Sequence, residues 1–171
     1  AEPALPSLVY SDAGGSRRVS GETLLDGAPP AVVEIEEETP DADAPGYHRY
    51  EGVPLARALE VLGVADDAHL ELVSTDGFLE DLPPHERRDP RVRGLIAYRD
   101  LEAAPPALWV PFEHGGERIT AAPFYLVWTA DDAKLAPVVA ERPWPYALAE
   151  IRVVPADDRA APGDAAPDVV R

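Results

Sequence analysis

Cysteine and methionine are both missing from these 171 residues. Without a thiol, this stretch of chain offers no disulfide, no cysteine nucleophile, no thiolate zinc site and no iron–sulfur ligation. Covalent haem attachment loses its cysteines as well, and an axial haem ligand would have to be one of the four histidines. Lysine is nearly missing: of 15 basic residues only Lys134 is a lysine, against 32 acidic ones. The resulting net charge of -17 repels nucleic-acid phosphates and anionic headgroups. It suits a basic partner, and it equally serves plain solubility. No apolar run is long enough to span a bilayer.

Proline, by contrast, is abundant. Its 20 copies forbid long helix interiors and central strands at many places, so short elements joined by turns are expected. The length allows one domain with a full core. An alanine start, "AEPALPSLVY", fits a mature protein after signal cleavage at a small residue, and an arbitrary chain boundary fits it as well.

Along the chain, "SLVY" reads as a short strand and "RRVSGETLL" as a polar stretch leading into the body. Residues 1–30 are expected to form an N-terminal extension packing on a domain at 31–154. "AVVEIEEE" alternates apolar and acidic residues with the period of a half-buried strand, and "TPDADAPG" breaks it as a loop. "HRYEGVP" reads as a turn. It leads into a helix on which Leu55, Leu59 and Leu62 share one face, with Pro54 at its start and Gly63 at its end. "HLELVST" reads as a strand, "DGFLEDLPPHERRDPRVRG" as a long irregular connection, and "LIAYRDL", "LWVPFE" and "FYLVWT" as strand-like pieces. "YALAEIRVV" closes the body near Val154. Residues 155–171, rich in alanine, proline and aspartate, read as a flexible tail or linker.

Chemistry-bearing residues are scattered. His85 and His114 with Asp76 and Glu113 are metal-ligand types, yet no spacing sets two on one helical face, so no metal site is expected. His48 reads as a loop residue and His69 as a strand edge. Glu34 and Glu36 share the solvated side of their strand, where paired carboxylates are ordinary. No "GxSxG" elbow supports a serine triad. Trp109 and Trp128 lie in apolar runs and read as core. Trp144 and Tyr146, fixed between prolines in "RPWPYAL", are candidates for a partner surface against simple packing of the final strand.

Taken in order, "YEGVPLARALEVLGV", "HLELVSTDGFLEDLP", "GLIAY", "HGGERITAAPFYLVW" and "YALAEIRVV" resemble the molybdopterin-binding domain of the sulfite oxidase superfamily, over about Val32 to Val154. The resemblance implies an α+β fold with a mixed, mostly antiparallel sheet and few short helices. It also implies a cleft flanked by Tyr50 and Phe78, where a ring could stack on a planar pterin with Asp76 or Glu36 accepting from its N–H groups. Arg118, with the arginines of "ERRDPRVR", would supply the few charges available to a pterin phosphate. The family's catalytic members ligate molybdenum through a cysteine just after the strand corresponding to Ala31–Glu38. Here glutamates and Thr39 stand there, so no molybdenum is expected.

The implied role is an exported, periplasmic, non-catalytic module serving a c-type cytochrome electron-transfer system. A periplasmic pterin-binding sensor is the alternative. An enzyme with an unrecognised carboxylate or histidine site is the third reading.

Overall fold

Alternation and proline placement decide most of the elements. A computed structural model of the protein describes residues 4–37 and 46–155, with the backbone alone at residue 37 and at residues 112–114. The expected tail, apart from Pro155, lies outside the described residues. So do Glu38, Thr39 and the rest of the loop up to residue 45, and the side chains of Glu113 and His114.

Two sheets carry the fold. The first contains β1 (Ser7–Asp12), β2 (Gly15–Ser20), β5 (His69–Ser74), β6 (Leu79–Leu82) and β11 (Leu148–Val154), in the order β2-β1-β11-β5-β6. The second contains β3 (Ala31–Glu37), β4 (Gly46–Pro54), β7 (Val92–Asp100) and β10 (Tyr125–Ala130), in the order β10-β7-β4-β3. A small hairpin, β8 (Phe112–His114) with β9 (Glu117–Ile119), stands apart. Every strand pair is antiparallel except β1 with β11. Among the described residues, four short α-helices and a 3-10 turn (Ala133–Leu135) complete the set: α1 (Gly21–Leu25), α2 (Leu55–Leu62), α3 (Pro84–Arg87) and α4 (Ala136–Glu141). The class is α+β, mostly antiparallel, with few short helices. No helix among the described residues is long and apolar enough to cross a membrane.

Helix α2 forms as its leucine spacing predicts. Leu55, Ala58, Leu59 and Leu62 are buried, and Gly63 ends the helix in the left-handed conformation at φ 77°. Each leucine so buried contributes about 1.5–3 kcal/mol. Pro54 is the residue just before the helix, extended at ψ 133°, and it also ends β4.

Several expectations need correction. "HRYEGVP" is strand, not turn. Tyr50 enters one core cluster and Val53 the other, so both faces of β4 are buried and no alternation of apolar and polar residues marks it; the register shift at Glu51 and Gly52 puts its extra residue, Tyr98, in β7. Gly52 sits so close to β7 that an added Cβ would lie 2.2 Å from the Ile96 carbonyl oxygen. The "irregular" segment holds β6 and α3, too short for any period to show. "LWVPFE" is strand only from Phe112, and α4 went unread. The N-terminal residues do more than pack on a body. Ser7–Ser20 supply two strands of the larger sheet, and Leu8, Tyr10, Val19 and Leu24 enter the main core.

That core lies between the sheets, joining Leu70, Leu72 and Ile151 of the larger sheet to Val53, Ile96, Leu126 and Trp128 of the smaller one. The indole N–H of Trp128 donates to the Pro143 carbonyl at 2.7 Å. A bridge from Phe124 to Leu148 ties the two sheets where β10 and β11 begin.

Candidate functional site

The second face of the smaller sheet carries a connected cluster of aromatic rings. His48 and Tyr50 are two residues apart on β4, so they share a face, and their rings stack with centroids 5.7 Å apart. Tyr50 meets Trp109 at 6.0 Å and the edge of Tyr125 at 5.6 Å, and Tyr125 in turn meets Tyr146 at 5.1 Å and Trp144 at 6.2 Å. Tyr50, Tyr125 and Trp109 are buried, whereas His48, Trp144 and Tyr146 are half-buried at the rim.

At the end of β7, Asp100 is 3% exposed and accepts from the His48 Nδ1–H at 2.8 Å and from the Glu102 backbone N–H at 2.9 Å. Its own backbone N–H donates to the Leu108 carbonyl, which anchors the loop bearing Trp109. An ionised carboxylate can only accept, so Nδ1 carries a hydrogen in this pairing. The arrangement fixes the imidazole ring at the rim of the aromatic face. Trp109 Nε1 is a buried donor with no partner among the described residues.

The turn from β5 to β6 is the second feature. Asp76 Oδ1 accepts from the Phe78 backbone N–H at 3.0 Å, the Ser74 backbone N–H donates to the Phe78 carbonyl at 3.0 Å, and Gly77 takes φ 88°. The turn therefore presents Phe78 and Leu79 in a fixed pose, 60% and 49% exposed. Glu80 and Asp81 follow on β6, an edge strand.

The five residues expected to share a pterin cleft fall on four different parts of the fold. Glu36 is on β3, where its carboxylate accepts from the Tyr47 hydroxyl at 3.3 Å. Tyr50 is inside the aromatic face, Asp76 and Phe78 are on the β5–β6 turn, and Arg118 is exposed on β9. Trp144 packs against both cores and its indole N–H donates to the Val139 carbonyl at 3.0 Å, while Tyr146 leans on Tyr125. Both rings are held by packing as much as they are offered to a partner.

The arginines of "ERRDPRVR" are engaged internally. Arg87 donates to the carbonyls of Ala65, Asp66 and Ala68, Arg88 pairs with Asp66, Arg91 with Asp89, and Arg93 with Asp131. Hydrogen bonds from the side chain and then the backbone of Arg91 hold the Asp89 carboxyl well below the usual carboxylate range. A groove of about 600 Å³ beside α2 is lined by Arg87, Arg88 and Arg93, and each of them already has a partner.

His48 and Asp100 were missed in sequence as a pair. The one local signal was the His-x-Tyr spacing of "HRY". The chain matches no family model and no curated protein.

Proposed function

We propose that this chain is an exported, non-catalytic module of the sulfite-oxidase-like type that carries no molybdenum and docks a basic redox protein of the c-type cytochrome class. The carrying observation is the Phe78–Leu79 pair, exposed on a hydrogen-bonded turn that also carries Asp76, with the exposed Asp81 two residues further on. A rigid aromatic anchor with an acidic rim is the composition of an interface hot spot for a cationic surface. The charge distribution supports it: the net charge is -17, and Arg49, Arg88, Arg91, Arg93, Arg99, Arg142 and Arg152 all sit in ion pairs within the chain. The sulfite-oxidase-like fold rests on the motif order, with Gly52 and Pro54 near the end of β4, just before α2.

Calorimetry with a basic c-type cytochrome tests the docking. Binding is expected at low salt and should weaken steeply as salt rises. Phe78→Ala should weaken it about tenfold. No binding at low salt, or binding indifferent to Phe78, ends the proposal. A haem-free protein of equal positive charge that binds as tightly removes its redox part.

The aromatic face favours a second reading, a pterin sensor. A planar heterocycle could stack there and accept from the partnerless Trp109 indole N–H. Titration with oxidised and reduced pterins, read by tryptophan fluorescence in the protein and in Trp109→Phe, decides it. An unchanged signal in the unaltered protein discards the sensor.

A further inference from the structure

Four strands border the two sheets, and three of them are protected against a further strand. Along β10 the Leu126 N–H donates to the Pro145 carbonyl at 3.4 Å and Phe124 bridges to Leu148, so the chain from Pro143 to Leu148 closes the outer side. Strand β6 has four residues and is followed at once by Pro83 and Pro84. Strand β2 carries two exposed arginines in succession, Arg17 and Arg18, one on each face. Short length, proline and cationic side chains are the ordinary guards of a sheet edge.

Strand β3 differs from all three. Its seven residues pair with β4 from Ala31 opposite Gly52 to Glu37 opposite Gly46, with no register shift and no proline among them. In an antiparallel pair every second residue turns its N–H and C=O away from the partner strand. Among the described residues, no backbone hydrogen bond joins β3 to any element but β4. A regular ladder left unpaired along one side is a template for one more strand.

The side chains select which strand. Ala31, Val33 and Ile35 pack on the aromatic cluster, whereas Val32, Glu34 and Glu36 are exposed on the opposite face. Glu34 stands opposite Arg49, but Arg49 pairs with Glu102 at 3.3 Å, so Glu34 has no ion pair among the described residues. Residues of an added strand would lie beside these at cross-strand distance, where opposite charges attract and like charges repel. A second copy of this chain would bring its own net charge of -17 against the first, which disfavours self-pairing.

We propose that β3 accepts an extended segment of a partner protein as a fifth strand of the smaller sheet, one that alternates basic with apolar residues. Its backbone completes the ladder, its arginines or lysines lie beside Glu34 and Glu36, and its apolar residues continue the covered face beyond Ala31 and Val33. The open ladder calls for a strand, and the acids choose among strands. This surface is independent of the Phe78 turn, which belongs to the other sheet.

A capped heptapeptide alternating valine with arginine is the probe, added to isotope-labelled protein at low salt. Saturable shifts are expected along β3, with hydrogen exchange slowed at every second amide of Ala31–Glu37. Methylating the backbone nitrogens of the valines in one peptide, and of the arginines in another, should weaken one of the two at least about tenfold and spare the other, because only one set faces β3. Glu34→Gln combined with Glu36→Gln should cost about tenfold, whereas Phe78→Ala should cost less than about twofold. Absent shifts, equal affinity of the two methylated peptides, equal losses in the two protein variants, or equal binding by a peptide with all its arginines in one block overturns the strand site. Protection of β3 that grows with protein concentration alone assigns the edge to a second copy and overturns it too. Peptide binding with no cytochrome binding sinks the docking proposal and leaves this one standing.

Discussion

The two sheets bury their strands differently. The smaller sheet is covered on both faces: along β10, Leu126 and Trp128 enter the main core while Tyr125 and Val127 enter the aromatic cluster. The larger sheet has one apolar face, with Leu70, Leu72 and Ile151 inward. Its other face carries an ion-pair line in which Arg152 meets Glu150 at 3.3 Å and Glu71 at 3.5 Å. A strand buried on both sides tolerates neither added volume nor lost partners, whereas a strand with one wet face can let water replace what is removed. The buried aromatic cluster therefore belongs to the smaller sheet, and the exposed ion-pair line to the larger.

Substitutions can break or sharpen that contrast. The largest effect belongs to Gly52→Ala, whose new methyl would meet the Ile96 carbonyl oxygen and the Ala97 Cα across β4 and β7. Backbone cannot step aside as a side chain can, so about 3 kcal/mol or more of stability should be lost, read from the urea midpoint. Next come the two tryptophans. Trp128→Phe leaves the Pro143 carbonyl without its donor and opens a void, costing about 1–3 kcal/mol. Trp109→Phe deletes a buried N–H that had no partner, so its cost should stay within about 1 kcal/mol. Equal costs would show that the two faces of the sheet are not distinct environments.

On the wet face of the larger sheet, Arg152→Ala should cost less than about 1 kcal/mol and should matter less as salt rises, since its side chain is 42% exposed. The smallest effect has the opposite sign. Burial raises the pKa of Glu80 above the ordinary 4.5, so the folded state is penalised wherever that carboxylate must be charged. The penalty is complete at neutral pH and fades as pH falls through the raised value, being gone once both states are protonated. Glu80→Gln should therefore raise Tm at neutral pH and leave it unchanged in acid. A uniform rise at every pH would contradict this.

Much of this architecture was readable in advance, for local reasons. The leucine face, Pro54 and Gly63 announce α2 within a dozen residues, and β3, β5, β10 and β11 show alternation or apolar runs of ordinary strand length. What was hidden depends on pairing. His48 and Asp100 are 52 residues apart and meet only because β4 runs antiparallel to β7 with Tyr50 opposite Asp100. Burial on both faces removed the polar alternation that would have exposed β4, and β6 is four residues of edge strand. A buried ring nitrogen with no partner among the described residues, such as His69 Nδ1, has no sequence signature, since it is defined by what does not approach it. The cleft residues separated because Tyr50 and Phe78 belong to different sheets.

The parallel pairing of β1 with β11 has a mechanical consequence. Both strands point the same way, with Val9 opposite Glu150 and Ser11 opposite Arg152, so the polypeptide enters at one end of the sheet and leaves at the other, about 20 Å away. Tension applied through the two ends drags these neighbours in opposite directions along their length. The ladder is then sheared, and its hydrogen bonds bear the load together. The β5–β6 hairpin pulled open from its ends would instead unzip one bond at a time. Single-molecule stretching through the chain ends should accordingly meet a higher rupture force than stretching across that hairpin, which makes this domain a stiff link in whatever is strung through it.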